Sequence, residues 1–84
     1  MDEVIIGKVY RHFKGKYIFV ENLGKYSETG EVIVIYKGLN DGGIFARPLN
    51  SFLEEIDPNR DGNVTHQSHR FELCEDINKD YINK

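Results

Sequence analysis

Apolar and polar residues alternate over much of the first half of the chain, and β-branched and aromatic residues are frequent among the apolar ones. A period of two is typical of strands that turn one face toward a core. Turn-forming sequences such as Lys14-Gly15-Lys16 and Asn40-Asp41-Gly42-Gly43 separate the alternating stretches. The pattern therefore predicts strands near residues 8–13, 16–23, 31–37, 43–47 and 69–73.

A short helical segment is predicted between the fourth and fifth strands. Pro48 ends the fourth strand, because proline cannot donate a hydrogen bond to the sheet. The residues that follow show apolar positions at helical spacing, namely Leu49, Phe52, Leu53 and Ile56. We predict one helical turn near residues 50–55 that packs on the sheet, followed by a polar loop over 57–68.

The second and third strands contain continuous apolar runs, at 17–20 and 33–35. Antiparallel sheets usually leave one face to water, so continuous runs indicate that both faces are covered. A small, strongly bent barrel covers one face, and the helical turn, the tail or a second subunit covers the other. The predicted fold is therefore mainly β, a five-stranded SH3-like barrel with one short helical turn.

The length of 84 residues corresponds to one domain. We place that domain at residues 1–73 and a C-terminal tail at 74–84. Leu73, Ile77 and Tyr81 are spaced four residues apart, so the tail either forms a short amphipathic helix or stays loose.

Charge and composition narrow the function classes. The net charge is -3, with a basic stretch at 7–37 and an acidic one at 50–84. This acidity is unfavourable for tight binding of a polyanion. The sequence shows no apolar run of membrane-spanning length and no signal-like start, and Cys74 is the one cysteine. These features favour a cytoplasmic protein that does not act at a membrane.

Short motifs in a fixed order give the chain a family resemblance. They are Gly7 to Gly15 followed by Tyr17, then Ser27-Glu28-Thr29, Val34-Ile35-Tyr36, Leu39, Arg47-Pro48, Phe52 and Arg70-Phe71-Glu72. With them the chain resembles, over about residues 7–73, a bacterial family of small uncharacterised proteins catalogued as domain of unknown function 1653. It departs from the family at Tyr26, where histidine is usual, and at Phe45-Ala46, where Trp-Val is usual. The resemblance implies a small β-rich, SH3-like domain and supplies no activity.

One side of the first strand is basic and aromatic. Strict alternation places four residues there: Lys8, Tyr10, His12 and Lys14. Such a stripe can hold a phosphate group or a stacked base. The more ordinary interpretation is that Tyr10 packs in the core, His12 makes a structural hydrogen bond and the lysines are solvated.

A polar rim is predicted at one end of the barrel. The connection over 24–30 lies at the end where the fourth strand finishes, so we expect Arg47 close to Glu28 and Tyr10, with His12 further in. The candidate binding residues are Tyr10, His12, Lys14, Ser27, Glu28 and Arg47. Arg47 has two interpretations, a fork for a ligand carboxylate or phosphate, or a structural partner of Glu28 or Glu72.

Catalysis, metal binding and cofactors are not predicted. Ser27, His12 and Glu28 are residue types found in nucleophilic sets, but no nucleophile elbow or oxyanion-hole sequence accompanies them. Residues 57–62 match the first half of a calcium loop, yet Ser68 stands where a bidentate glutamate is needed. The spacing of His66, His69 and Cys74 fits no closed zinc site.

The resulting functional prediction is a small cytoplasmic interaction module, not an enzyme, with a protein or a second copy of itself as partner. The alternative is binding of nucleic acid or a nucleotide phosphate through a basic aromatic strand face: Lys8, Tyr10, His12, Lys14 and Arg47.

Overall fold

The computed structural model describes residues 4–77, which form five strands and one short helix. In chain order they are β1 (Val9–His12), β2 (Tyr17–Lys25), β3 (Val32–Gly38), β4 (Ile44–Pro48), α1 (Leu49–Phe52) and β5 (Phe71–Leu73). Each strand begins and ends within two residues of its predicted bounds. The prediction of a mainly β fold with one helical turn is confirmed.

The strands form one antiparallel sheet in the order β4-β3-β2-β1-β5. An extra residue at Glu21 interrupts the β2–β3 register, and such a bulge bends and twists a sheet. The predicted barrel does not close, because within residues 4–77 the edge strands β4 and β5 do not pair with each other. Instead the chain passes from Pro48 directly into α1, and the fully buried Phe52 side chain packs against rings of β1, β3 and β5.

Aromatic rings form the core on the concave face of the sheet. The Phe52 ring stacks on Phe71 with centroids 4.2 Å apart and meets Tyr10 and Tyr36 edge-on, at 5.4 and 5.7 Å. Each such pair contributes about 0.5–1.5 kcal/mol beyond area burial. Val20 and Val34 are fully buried beside them. The core therefore depends on one helical side chain that three different strands contact.

The loop before β5 covers the opposite face of β1. Gln67 is only 2% exposed, and its Nε2 donates to the carbonyl oxygens of Arg11 (3.0 Å) and His69 (3.1 Å). Its Oε1 accepts from Nε of Arg11 at 2.7 Å. Asn63 is also buried, and its Nδ2 donates to the carbonyl oxygens of Asp57 (3.0 Å) and Gln67 (2.9 Å). The loop predicted over 57–68 is therefore anchored by buried amides, and it covers a face for which we expected the helical turn, the tail or a second subunit.

The described chain continues past β5 to Ile77, with the backbone N–H of Cys74 donating to Val9. The tail prediction for 74–84 falls mostly on residues 78–84, which lie outside the described residues. The division into a domain and a tail stays a prediction. In the part of the chain that the structure describes, no helix is long and apolar enough to cross a membrane.

Candidate binding cleft

A cleft of about 300 Å³ opens at the end of the sheet that carries the β1–β2 and β3–β4 hairpins. We call it the hairpin cleft. Helix α1 packs on the neighbouring part of the concave face, so the cleft is the part that the open sheet leaves uncovered. The polar, charged and aromatic side chains that line it include His12, Lys14, Lys16, Tyr36, Phe45 and Arg47.

Strand register assembles the floor of the cleft. Phe45 lies directly opposite Tyr36, and their rings stack with centroids 5.6 Å apart. Gly38 ends β3 beside them, and a Cβ atom there would lie 2.5 Å from Oδ1 of Asp41 and 3.5 Å from the Phe45 ring. Oδ1 of Asp41 in turn accepts the N–H of Gly43 at 3.0 Å. Because Gly38 has no side chain, Asp41 of the hairpin and the Phe45 ring can both lie close to the backbone at the end of β3.

The hairpin cleft carries an excess of positive charge. Lys14 and Lys16 come from the β1–β2 hairpin and Arg47 from β4, whereas Asp41 is the one carboxylate among the described residues that line the cleft. The whole chain has a net charge of -3. The cleft is therefore electropositive on an acidic protein, and it favours an anionic ligand.

Arg47 is half-buried, and its partners are neutral. Its Nη1 donates to Oγ of Ser51 at 2.9 Å, and its Nε donates to the hydroxyl oxygen of Tyr36 at 3.4 Å. Its guanidinium carbon lies 5.8 Å from the centroid of Phe71. Within residues 4–77 no carboxylate pairs with it. Arg70, followed by the smaller effects of Arg60 and Arg47, lowers the pKa of Glu54, so a carboxylate lies within electrostatic range of Arg47 without bonding it. A half-buried guanidinium without a bonded carboxylate favours an anionic ligand.

The His12 ring is held neutral. It stacks on Phe13 at 4.3 Å and meets Phe71 edge-on at 5.0 Å. Burial, followed by the charges of Arg70, Arg47, Lys14 and Lys16, lowers the pKa of His12 from 6.5 to about 4. The backbone N–H of Lys14 donates to Nδ1 at 3.1 Å, so the neutral ring carries its proton on Nε2. His12 is thus set to donate a hydrogen bond from Nε2.

The comparisons with known proteins bear on the whole fold. The model of a family described as "Protein of unknown function (DUF1653)" matches residues 8–73. The chain belongs to this family. The crystal structure of a DUF1653 protein from Bordetella bronchiseptica is similar, with 27% sequence identity and a TM-score of 0.68, over 84% of this chain and 88% of that chain. No curated protein matches. The family description names no function, so function has to be argued from the cleft.

The structure brings together three of the six candidate binding residues of this DUF1653 chain. His12, Lys14 and Arg47 all line the hairpin cleft. Tyr10 does not, because it is buried under Phe52 and its hydroxyl oxygen accepts the N–H of Ile5 at 3.0 Å. Alternation correctly placed Tyr10 and His12 on one face, but α1 covers the first and leaves the second at the cleft.

Ser27 and Glu28 lie at the other end of the sheet. They belong to the β2–β3 connection and do not line the cleft. Arg47 lies opposite Val34 near the start of β3, as the strand order predicts, but its side chain lines the cleft. Glu28 accepts a hydrogen bond from the hydroxyl of Tyr26 at 2.6 Å, which raises the pKa of Tyr26. Arg47 instead bonds Ser51 and Tyr36, so the predicted pairing of Arg47 with Glu28 is wrong.

Several residues that line the cleft of the DUF1653 chain were not among the predicted binding residues: Lys16, Tyr36, Phe45 and Phe71. The two hairpin turns indicate three of them. Lys16 ends the turn between β1 and β2, and the turn between β3 and β4 sets the register that pairs Phe45 with Tyr36. Phe71 pairs with His12 across a separation of 59 residues, and no local pattern reveals that contact.

The other candidate ligands remain apart. Among residues 4–77 no three His, Cys, Asp or Glu side chains come together as a metal site. Nδ1 of His66 lies 3.0 Å from the carbonyl oxygen of Pro58, and Nδ1 of His69 lies 3.8 Å from the Glu72 carboxylate. Cys74 is half-buried, and burial raises the pKa of its thiol. Each of these groups thus has a local structural contact.

Proposed function

We propose that this DUF1653 protein is a binding module, not an enzyme, and that its hairpin cleft holds a small phosphate-bearing ligand. The observation that carries the proposal is the half-buried guanidinium of Arg47, which has only neutral partners and faces the same cleft as Lys14 and Lys16. A phosphate group supplies the missing negative charge, and its oxygens match the donors that arginine and lysine present.

Charge and size favour a nucleotide phosphate over a nucleic acid. The net charge of -3 repels a long polyanion once it extends beyond the cleft. The volume of about 300 Å³ lies at the lower end of the range for small-molecule sites. Both arguments fit a ligand with one concentrated anionic group.

The chemistry of the cleft supports binding without catalysis. His12 has the residue type of a general base, but its Nδ1 already accepts the Lys14 N–H and its other nitrogen carries the proton. Asp41 accepts a backbone N–H of its own hairpin. The cleft residues thus provide hydrogen-bond donors and stacking surfaces. A cytoplasmic location is part of the proposal, because nucleotides are present there.

Calorimetric titration with AMP and with inorganic phosphate, at about 50 mM and about 200 mM salt, tests the proposal. Wild type is expected to bind, and the affinity should fall as salt rises. A Lys14→Ala, Lys16→Ala double variant should bind at least about tenfold more weakly. The matched control is Lys25→Ala, Lys37→Ala, which removes the same charge from exposed positions outside the cleft and should change little. Absence of binding at millimolar ligand, or equal losses in both variants, contradicts the proposal.

A second candidate is association with a protein or a second copy of the chain through β4. This strand is an edge of the described sheet, and Ile44 is 61% exposed on it. Unpaired edges with apolar side chains are templates for strand addition. Light scattering over a hundredfold concentration range separates the candidates: a dimer that Ile44→Lys dissociates supports association, and a monomer throughout removes self-association.

A further inference from the structure

We infer that the ligand of the hairpin cleft is a mononucleotide, whose base stacks on Phe45 while its phosphate meets Lys14 and Lys16. This inference rests on the proposed function and adds a second, aromatic subsite to it. It follows from three observations: the fixed geometry of the Phe45 ring, the position of Lys14 and Lys16 on the other hairpin, and the polar groups beside Phe45.

The Phe45 ring is a prepared stacking surface. It is 44% exposed, although large apolar side chains are usually buried. Its position is nevertheless fixed, since it stacks on Tyr36 and lies so close to two glycines that Cβ atoms at Gly38 and Gly43 would come within 3.5 and 3.0 Å of it. One side of the ring is thus held by the protein while much of its surface is open. A ring already fixed loses little conformational entropy when a second ring stacks on it.

Two of the three basic groups of the cleft stand on a different hairpin from Phe45, whereas Arg47 lies on β4 with it. Phe45 follows the β3–β4 hairpin, whereas Lys14 and Lys16 belong to the β1–β2 hairpin, and both hairpins line the same cleft. A ligand that uses both must carry a flat ring and an anionic group on one short scaffold. The Nε2–H of His12 adds a neutral donor next to the lysines, which suits a phosphate oxygen.

Polar groups beside Phe45 suit a base or sugar. Asn40 and Asp41 belong to the same hairpin as Phe45 and line the cleft. An amide both donates and accepts hydrogen bonds, and a carboxylate accepts from hydroxyl or amino groups. A simple aromatic acid would leave these groups without ligand partners. A nucleoside offers a ring, hydroxyls and exocyclic groups together. A nucleoside monophosphate therefore has a partner for the Phe45 ring, for the polar groups beside it and for the lysines.

The test compares ligands before it compares variants. Wild-type protein is titrated calorimetrically with AMP, GMP, CMP and UMP, and with adenosine, ribose 5-phosphate and inorganic phosphate. At least one nucleotide should bind about 5- to 150-fold more tightly than ribose 5-phosphate, which is the range that stacking of one base contributes. Phe45→Ala should weaken binding of that nucleotide at least about fivefold more than binding of ribose 5-phosphate. Tyr26→Ala is the matched control, because Tyr26 is similarly exposed at 47% and lies outside the cleft.

The outcomes separate this inference from the function on which it rests. If ribose 5-phosphate binds as tightly as every nucleotide, the aromatic subsite is refuted and phosphate binding stands. If adenosine binds as tightly as AMP, the ring subsite stands and the phosphate site falls. If none of the phosphate compounds binds, both fall. The wild-type comparison decides the question even if Phe45→Ala fails to fold, and amide NMR spectra of each variant verify folding.

Discussion

Replacement of Arg47 by methionine separates a ligand-binding arginine from a structural one. Methionine keeps an unbranched apolar stem beside Phe71 but removes the charge and every donor. In the wild type those donors meet two hydroxyl oxygens, one at 2.9 Å on Ser51 and one at 3.4 Å on Tyr36. The substitution therefore removes two hydrogen bonds and the cation–π contact with Phe71, but no ion pair.

The expected cost in stability is small. A hydrogen bond from a charged donor contributes about 1.5–3 kcal/mol, and the long contact to Tyr36 and the partial exposure of Arg47 place the loss near the low end. Removal of a half-buried cation that no carboxylate bonds offsets part of that loss. We expect the free energy of unfolding to change by less than about 1.5 kcal/mol, whereas breaking a buried ion pair costs about 3–5 kcal/mol.

Urea denaturation followed by circular dichroism gives the change in unfolding free energy at a constant m-value. Calorimetric titration with AMP gives the change in affinity, which should fall by at least about tenfold. Arg60→Met is the control, since Arg60 is exposed on the 57–68 loop outside the cleft and loses the same charge. It should leave AMP binding within about twofold of wild type.

One pair of results refutes the reasoning. If Arg47→Met lowers the unfolding free energy by more than about 3 kcal/mol and leaves AMP binding unchanged, Arg47 is a structural residue. The proposal that its charge awaits a ligand anion then fails.

Two further predictions concern stability. Gln67→Ala should lower the unfolding free energy by about 2–4 kcal/mol, because it leaves the carbonyl oxygens of Arg11 and His69 without their buried donor. Urea denaturation measures this change. The control is Asn59→Ala, at an exposed position of the same loop, which should change the unfolding free energy little. For His12, the folded protein stays neutral down to a pKa of about 4 while the unfolded chain takes up a proton near 6.5, so unfolding is favoured as pH falls through that window. The difference in unfolding free energy between wild type and His12→Asn should therefore shrink or reverse as pH falls from 6.5 to 4, and a pH-independent difference contradicts the neutral state of His12.

Local patterns were sufficient for the strands and hairpins. Alternation and turn residues define β1 to β4, because both act within a few neighbouring residues. The open sheet was not predictable in this way. Whether a bent five-stranded sheet closes depends on what fills the space between its edges, and that is Phe52, whose partners lie on β1, β3 and β5.

The burial of the loop before β5 was not predictable from local patterns either. Asn63 and Gln67 belong to a stretch whose composition is typical of an exposed loop. They are buried because their amides satisfy backbone groups of Arg11, Asp57 and His69, and a sequence shows side chains without showing which carbonyls need donors. In the cleft, alternation likewise placed His12 on the correct face, and the strand order placed Arg47 near the start of β3. The wrong partner was assigned to Arg47, because strand order does not show that its side chain bonds Tyr36 and Ser51 instead of Glu28.

The central claim is that the hairpin cleft binds a phosphate-bearing ligand, and an NMR titration with AMP tests it most directly. Backbone amides of Lys14, Gly38 and Phe45 and the side-chain Nε–H of Arg47 are expected to shift together along one saturating curve, because these groups line one cleft. Signals from Ser27 and Glu28, at the other end of the sheet, should stay in place. Shifts confined to Ser27 and Glu28, or no shifts at millimolar AMP, contradict the claim.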